Sequence, residues 1–174
     1  MSKKSFTLFE LIIVIGLVSI VYYMTLSNFS IKQRKLDTIT LINIKQTLLE
    51  FEFENSIILR CIDDEKIDCF VEIDGEIQEE RIENLFKNKP DVYEYSKDLK
   101  YLEFKDLELG NMESYRICFE YKIDKYRNSS QLIVDTSEDV FIYDNISKKP
   151  SKIKYINDIG FYFEEKIKEV KDAF

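Results

Sequence analysis

Few side chains in this 174-residue sequence can do chemistry, and the most conspicuous is a carboxylate. Glu10 sits near the start of an apolar run from Phe6 to Leu26, FTLFELIIVIGLVSIVYYMTL, and is its single charge. A carboxylate among apolar side chains is costly unless an opposite charge or a donor meets it, so its presence asks for a partner. The other reactive groups are three cysteines, Cys61, Cys69 and Cys118. There is no histidine, which removes His-based triads, His zinc sites and the commonest general base. Four glycines, at 16, 75, 110 and 160, form no phosphate-binding loop. Carboxylates cluster at Asp63-Asp64-Glu65, Glu79-Glu80, Glu138-Asp139 and Glu164-Glu165. In a chain that is 33% charged, such clusters are ordinarily solvated surface. Calcium would take the clustered oxygens of Asp63–Glu65 or Ser137–Asp139, although no EF-hand spacing is present. These residues point to no enzyme, no resident metal and no cofactor.

The element that positions Glu10 is long enough to cross a bilayer, which takes about 20 apolar residues. Lys3-Lys4-Ser5 precedes it. A secretory signal peptide has a shorter apolar core and a small-x-small cleavage site. Here the run is longer, no such site follows, and the only alanine in the chain is Ala173. An ordinary single-span anchor accounts for the apolar run. It does not account for Glu10 at this spacing behind Lys-Lys-Ser-Phe.

Lys3-Lys4-Ser5 followed by Phe6-Thr7-Leu8-Phe9-Glu10-Leu11 and an aliphatic stretch resembles the processing signal of type IV pilins and type II secretion pseudopilins. The resemblance covers about the first 26 residues. It implies a leader of residues 1–5, cut by a prepilin peptidase between Ser5 and Phe6, and N-methylation of the new N-terminal Phe6. Glu10 then stands at the fifth mature position, where the family has a Glu. Ser5 stands where the family usually has Gly, Phe9 where it has an aliphatic residue, and the family's proline near the end of the span is missing. The implied fold is a long N-terminal helix packed on an antiparallel sheet. The implied partners are prepilin peptidase, other pilin or pseudopilin subunits, an inner-membrane assembly platform and membrane lipid. Cleavage would free an α-amino group on Phe6, about one helical turn from Glu10. Within one chain or between neighbouring subunits the two would pair in an apolar setting, and the pair would fix axial register.

After the weak polar spot Ser27-Asn28, apolar residues recur as Leu36-Ile39-Ile42 and Leu41-Ile44-Leu48-Phe51. This spacing predicts an amphipathic helix over residues 27–54 that continues the 6–26 span, with the soft spot Gly16 inside it. From 55 onwards the pattern turns to strands. Ser56–Ile62 and Cys69–Ile73 flank a polar turn at Asp63–Asp68, and Asp91–Tyr95, Tyr101–Lys105, Tyr115–Ile123, Gln131–Asp135 and Val140–Tyr143 follow. Tyr115–Ile123 alternates, with Ile117, Phe119, Tyr121 and Ile123 on one side and Arg116, Cys118, Glu120 and Lys122 on the other. Glu79–Asn88 reads as a short helix stopped before Pro90, and Phe161–Phe174 as a terminal helix. One long helix followed by strands in meander order predicts an α+β fold, with a β-rich body over 55–174.

Charge divides the chain in the same place. Residues 1–35 hold Lys3, Lys4, Lys32, Arg34 and Lys35 against Glu10, a net of +4, within a chain of net charge -8. The remainder therefore carries a net of -12, and an acidic body predicts no direct nucleic-acid binding. Basic residues flank the span on both sides, so charge alone leaves topology open. The leader resemblance implies a bacterial inner-membrane protein with one span, its N-terminus cytoplasmic and its acidic body periplasmic or extracellular. An exported body permits disulfides. A hairpin would set Cys61 opposite Cys69, leaving Cys118 as a buried thiol or a competing partner, since spacing alone does not fix connectivity. The functional expectation is a structural subunit of a type IV pilus or pseudopilus, minor rather than major. The alternative is a bitopic anchored binding module that belongs to no filament.

Overall fold

In the computed structural model, which describes residues 8–37, 39–109 and 113–172, the chain divides after Asp37 into two units. The first is one helix, α1 (Leu8–Asp37). It contains no proline and one glycine, so nothing interrupts its backbone hydrogen bonds. The Ser19 hydroxyl donates to the Ile15 carbonyl at 2.7 Å, one turn back, which satisfies it without water. Leu11, Ile12, Ile13, Val14 and Ile15 are each 46–59% exposed. Five consecutive residues go more than once round a helix of 3.6 residues per turn, so apolar surface covers the whole circumference.

The unbroken helix expected to reach about Glu54 does not form. α1 stops at Asp37, and between Ile39 and Glu54 the only α-helix is α2 (Ile44–Leu48). Three successive β-branched residues, Thr38-Ile39-Thr40, lie at the break, and these lose side-chain freedom in a helix. The Asn43 side chain then stabilises a turn, accepting the Thr40 N–H at 2.7 Å, while the Asn43 N–H donates to the Thr40 carbonyl at 3.0 Å. Burial favours the turn further. Ile39, Ile44, Leu48 and Phe51 all enter the core of the second unit. Each such burial is worth roughly 1.5–3 kcal/mol, against under ~1 kcal/mol per residue for helix propensity. The apolar periodicity therefore marks core residues, but a turn and a short helix deliver them. Ile42, expected on the apolar face, is exposed.

The second unit also departs from one sheet packed on a helical spine. It has two four-stranded antiparallel sheets and a two-stranded one. The first sheet joins β1 (Ser56–Asp63), β2 (Ile67–Ile73), β3 (Glu76–Ile82) and β7 (Ile117–Asp124) in the order β3-β2-β1-β7. The second joins β4 (Asp91–Glu94), β8 (Leu132–Asp135), β9 (Val140–Tyr143) and β10 (Ser151–Ile153) in the order β10-β9-β8-β4. β5 (Leu107–Leu109) and β6 (Glu113–Tyr115) form the small ribbon. A 3-10 turn, Ile156–Asp158, leads into α3 (Ile159–Asp172).

The core is layered. Ile159 and Tyr162 of α3 pack on Tyr93, Ile133, Val140 and Ile142. Alternate residues of β9 face the other way, and Tyr143 meets Tyr121 of β7 with ring centroids 5.2 Å apart. The second sheet is thus sandwiched between α3 and the first sheet, and all four residues of β9 are buried.

Two local readings are corrected. Glu79–Asn88 is not a helix, because Glu76–Ile82 forms β3. Asp74 and Gly75 both take positive φ, 53° and 92°, and turn the chain straight back onto β2. Asp-Gly is the strongest short hairpin signal, and it outweighs a charged stretch with moderate helix propensity. The alternation of Tyr115–Ile123 also breaks. The register shifts between Cys61, opposite Phe119, and Ile62, opposite Ile117, so Cys118 is the extra residue of a β-bulge. Ile117, Cys118 and Phe119 are consequently all buried. Of Tyr101–Lys105, only Tyr101 pairs, in an isolated bridge to Tyr93.

Candidate functional site

Ser5 and Phe6, the residues of the expected cleavage, lie outside the described residues. Glu10 lies in the first turn of α1 as described. Beyond it the helix surface is unrelieved: Leu17, Val18, Ile20 and Val21 are exposed apolar side chains. Among the described residues, no helix is long and apolar enough to cross a membrane.

Cys61 and Cys69 face each other directly across β1 and β2, and their sulfurs are bonded at 2.05 Å. Cys118 is a buried free thiol that donates to the Cys61 carbonyl at 3.4 Å. Burial, reinforced by the Asp63 carboxylate, pushes the thiol up to about 11. At neutral pH it therefore stays protonated and is a poor nucleophile. The bulge that buries Cys118 also sets it beside the bridge, which sequence alternation could not show.

Three charged groups, of which the sequence pattern singles out only Glu120, form a row on the first sheet. Arg60 of β1 donates to Glu72 of β2 through Nη1 and to Glu120 of β7 through Nε, the latter at 2.8 Å. All three side chains are less than a third exposed. The signal was available only as charges inside strands, with Asp63, Asp68, Lys122 and Asp124 on the same strands and nothing to mark which of them meet. A second missed residue is Asp74. Its carboxylate accepts the N–H groups of Glu54, Asn55 and Ser56 at 2.8, 2.6 and 3.0 Å. Those backbone bonds hold it below the ordinary carboxylate range. Asp74 so latches the entry to β1 onto the hairpin turn.

A depression of about 600 Å³ lies between the β1–β2 hairpin tip and residues 83–89. Its rim includes Asp63, Asp64, Glu65, Asp68 and Glu83. Lys89 Nζ donates to Asp63 at 2.5 Å, which neutralises one of these carboxylates. Asp139, at the other acidic cluster considered for calcium, pairs with Lys152 at 2.8 Å and Lys154 at 3.4 Å. Among the described residues no group of metal-ligating side chains converges. The groove is open and lined mostly by charged side chains, of which Lys89 and Asp63 pair with each other and Lys87 pairs with Glu138 outside it.

No family model, curated protein or solved structure matches this chain. The likeness to the prepilin signal therefore rests on the N-terminal residues themselves.

Proposed function

We propose that this chain is a prepilin-like structural subunit, a minor pilin or pseudopilin. A prepilin peptidase cuts it between Ser5 and Phe6, and it assembles with other subunits through its N-terminal helix. The observation that carries this reading is the first part of α1: over residues 11–21 exposed apolar side chains run right round the helix, with one carboxylate four residues after Phe6. A helix apolar on every side requires lipid or other helices around it, because water on any face is unfavourable. A filament core and a bilayer both supply such surroundings, and a subunit of this kind passes from one to the other. Glu10 then selects the axial position at which a neighbour's N-terminal amine meets it, since a displaced subunit leaves a buried charge without its counter-charge. Inner-membrane residence, with the acidic unit on the far side, belongs to the same proposal.

Glu10→Gln tests the pairing. It keeps shape and hydrogen-bonding capacity and removes the charge. Cross-linked oligomers from membranes should fall several-fold relative to wild type while the amount of folded monomer is unchanged. Oligomers at wild-type level would sink the pairing.

A second reading has its own observation in favour. α1 ends at Asp37, and the second unit builds its core from two sheets and α3 without a helical spine. That suits a bitopic anchored binding module outside any filament. Under this reading Glu10→Gln leaves the oligomeric state untouched, and residues 1–5 remain on the membrane-bound protein.

A further inference from the structure

Two loops share one end of the second unit. The β7–β8 loop, residues 125–131, which follows Asp124 at the end of β7, and the β9–β10 loop, residues 144–150, meet the second sheet where Leu132 pairs with Tyr143 and Ser151 with Ile142. They are tied together: Asn145 donates through Nδ2 to the Asn128 side chain at 3.2 Å and accepts the Ser129 N–H at 2.7 Å. Lys45 clamps the second loop, donating to the carbonyls of Asn145 at 2.7 Å and Ser147 at 3.1 Å. The Tyr143 hydroxyl binds the Leu41 carbonyl at 2.6 Å, so the segment that begins at Ile39, two residues after α1, is fastened to this same end.

The loops turn their carboxylates inward and their cations outward. Asp124 accepts the N–H groups of Tyr126 and Asn128, both at 2.8 Å. Asp144 accepts the Ile146 N–H at 2.8 Å and the Ser147 hydroxyl at 2.7 Å. Lys125, Arg127, Lys148 and Lys149 are exposed, and none is in an ion pair among the described residues. Elsewhere Lys87, Lys89, Lys152 and Lys154 are paired, while the exposed Lys66, Lys97 and Lys100 are likewise in no ion pair among the described residues. At the tips of the two loops stand Tyr126, 74% exposed, and Ile146, 93% exposed. In a strongly acidic body, one end thus presents four cations outside any ion pair around an aromatic and an aliphatic tip, with the Lys125 ammonium 5.0 Å from the centroid of the Tyr126 ring.

We propose that this end is a docking surface for an anionic membrane. Clustered Lys and Arg are drawn to negatively charged headgroups within about a Debye length, and the attraction weakens with salt. Tyrosine and aliphatic tips suit the interface, where an apolar body meets water. The acidic body of a second copy would attract the cations but offers no reason for Ile146 to stand clear of the surface. The membrane accounts for both. The inference rests on the anchored reading for one point, that α1 in the bilayer tethers the chain to the membrane.

The test uses the full chain reconstituted into vesicles of phosphatidylcholine, with and without phosphatidylglycerol, and a nitroxide on Ile146→Cys. The wild-type protein, whose Cys118 is buried, serves as the labelling blank. Accessibility to oxygen relative to a water-soluble nickel reagent should rise several-fold when phosphatidylglycerol is present. The rise should vanish in high salt and in a variant carrying Lys125→Glu, Arg127→Glu, Lys148→Glu and Lys149→Glu, provided its Cys118 stays as resistant to alkylation as in wild type. A nitroxide equally water-accessible in both vesicles, on protein that floats with them, overturns the docking and leaves the anchor standing. Protein that floats with neither vesicle overturns both. A label shielded from both reagents marks contact with a second copy and also overturns the membrane assignment.

Discussion

The two units handle apolar surface in opposite ways. α1 holds its apolar side chains outward all round, and none of those described in it belongs to the buried core. The second unit draws Leu59, Phe119, Tyr121, Ile133 and Ile142 out of contact with water and clamps the result with one disulfide. The difference shows where each unit gets its stability. The second unit carries its own core. The helix depends on what surrounds it, and that dependence is the physical ground for reading it as an assembly element.

Substitutions should separate the two units, and the largest effect belongs to the core. Phe119 is fully buried and meets the Phe86 ring at 5.1 Å. Phe119→Ala should lower the stability of the second unit by about 3–5 kcal/mol in denaturant melts. Leu17→Ala in α1 should move the same transition by less than ~0.5 kcal/mol, as expected for a surface position. Equal effects would mean that the units fold as one. Next comes the bridge. Closing a loop of this length contributes about 2–3 kcal/mol by the chain-entropy relation, so Cys61→Ser with Cys69→Ser should cost roughly that. The double variant should expose no fast-reacting thiol, because Cys118 stays buried.

Smaller effects come from the β2–β3 turn. Gly75 has φ of 92° with open space where a Cβ would go, so Gly75→Ala should cost only the backbone penalty, roughly 1–2 kcal/mol. Asp74 gives a pH signature. Its folded carboxylate titrates below the unfolded one, so its contribution is present above about pH 4 and is lost as pH falls through the folded value. Chemical denaturation between pH 6 and about pH 3 should show a shallower acid loss for Asp74→Asn than for wild type. A parallel acid limb would remove the latch from the account.

How much of this was legible in the sequence depends on what each signal encodes. The apolar periodicity of residues 36–53 names buried residues correctly at Ile39, Ile44, Leu48 and Phe51. It does not say whether a long helix or a turn brings them in. Period alone is blind to the three β-branched residues and to the Asn43 turn that decide the matter. Val140–Tyr143 was readable because an unbroken apolar tetrapeptide suits a strand buried on both faces. β3 was missed because its hairpin signal, Asp74-Gly75, lies just outside the charged segment that looked helical. The bulge at Cys118 has no sequence mark. The row of Arg60, Glu72 and Glu120 depends on register across three strands, which no local pattern encodes. At the N-terminus the reverse holds: the motif is legible in the residues, while Ser5 and Phe6 lie outside the described ones.

The central claim is that α1 is a processed assembly helix rather than a plain anchor. The N-terminal peptide of the protein isolated from membranes, read by mass spectrometry, tests it most directly. A peptide that begins at Phe6 and carries one added methyl group is the result expected. A peptide that begins at Met1 or Ser2, with Lys3-Lys4-Ser5 still attached, would contradict it.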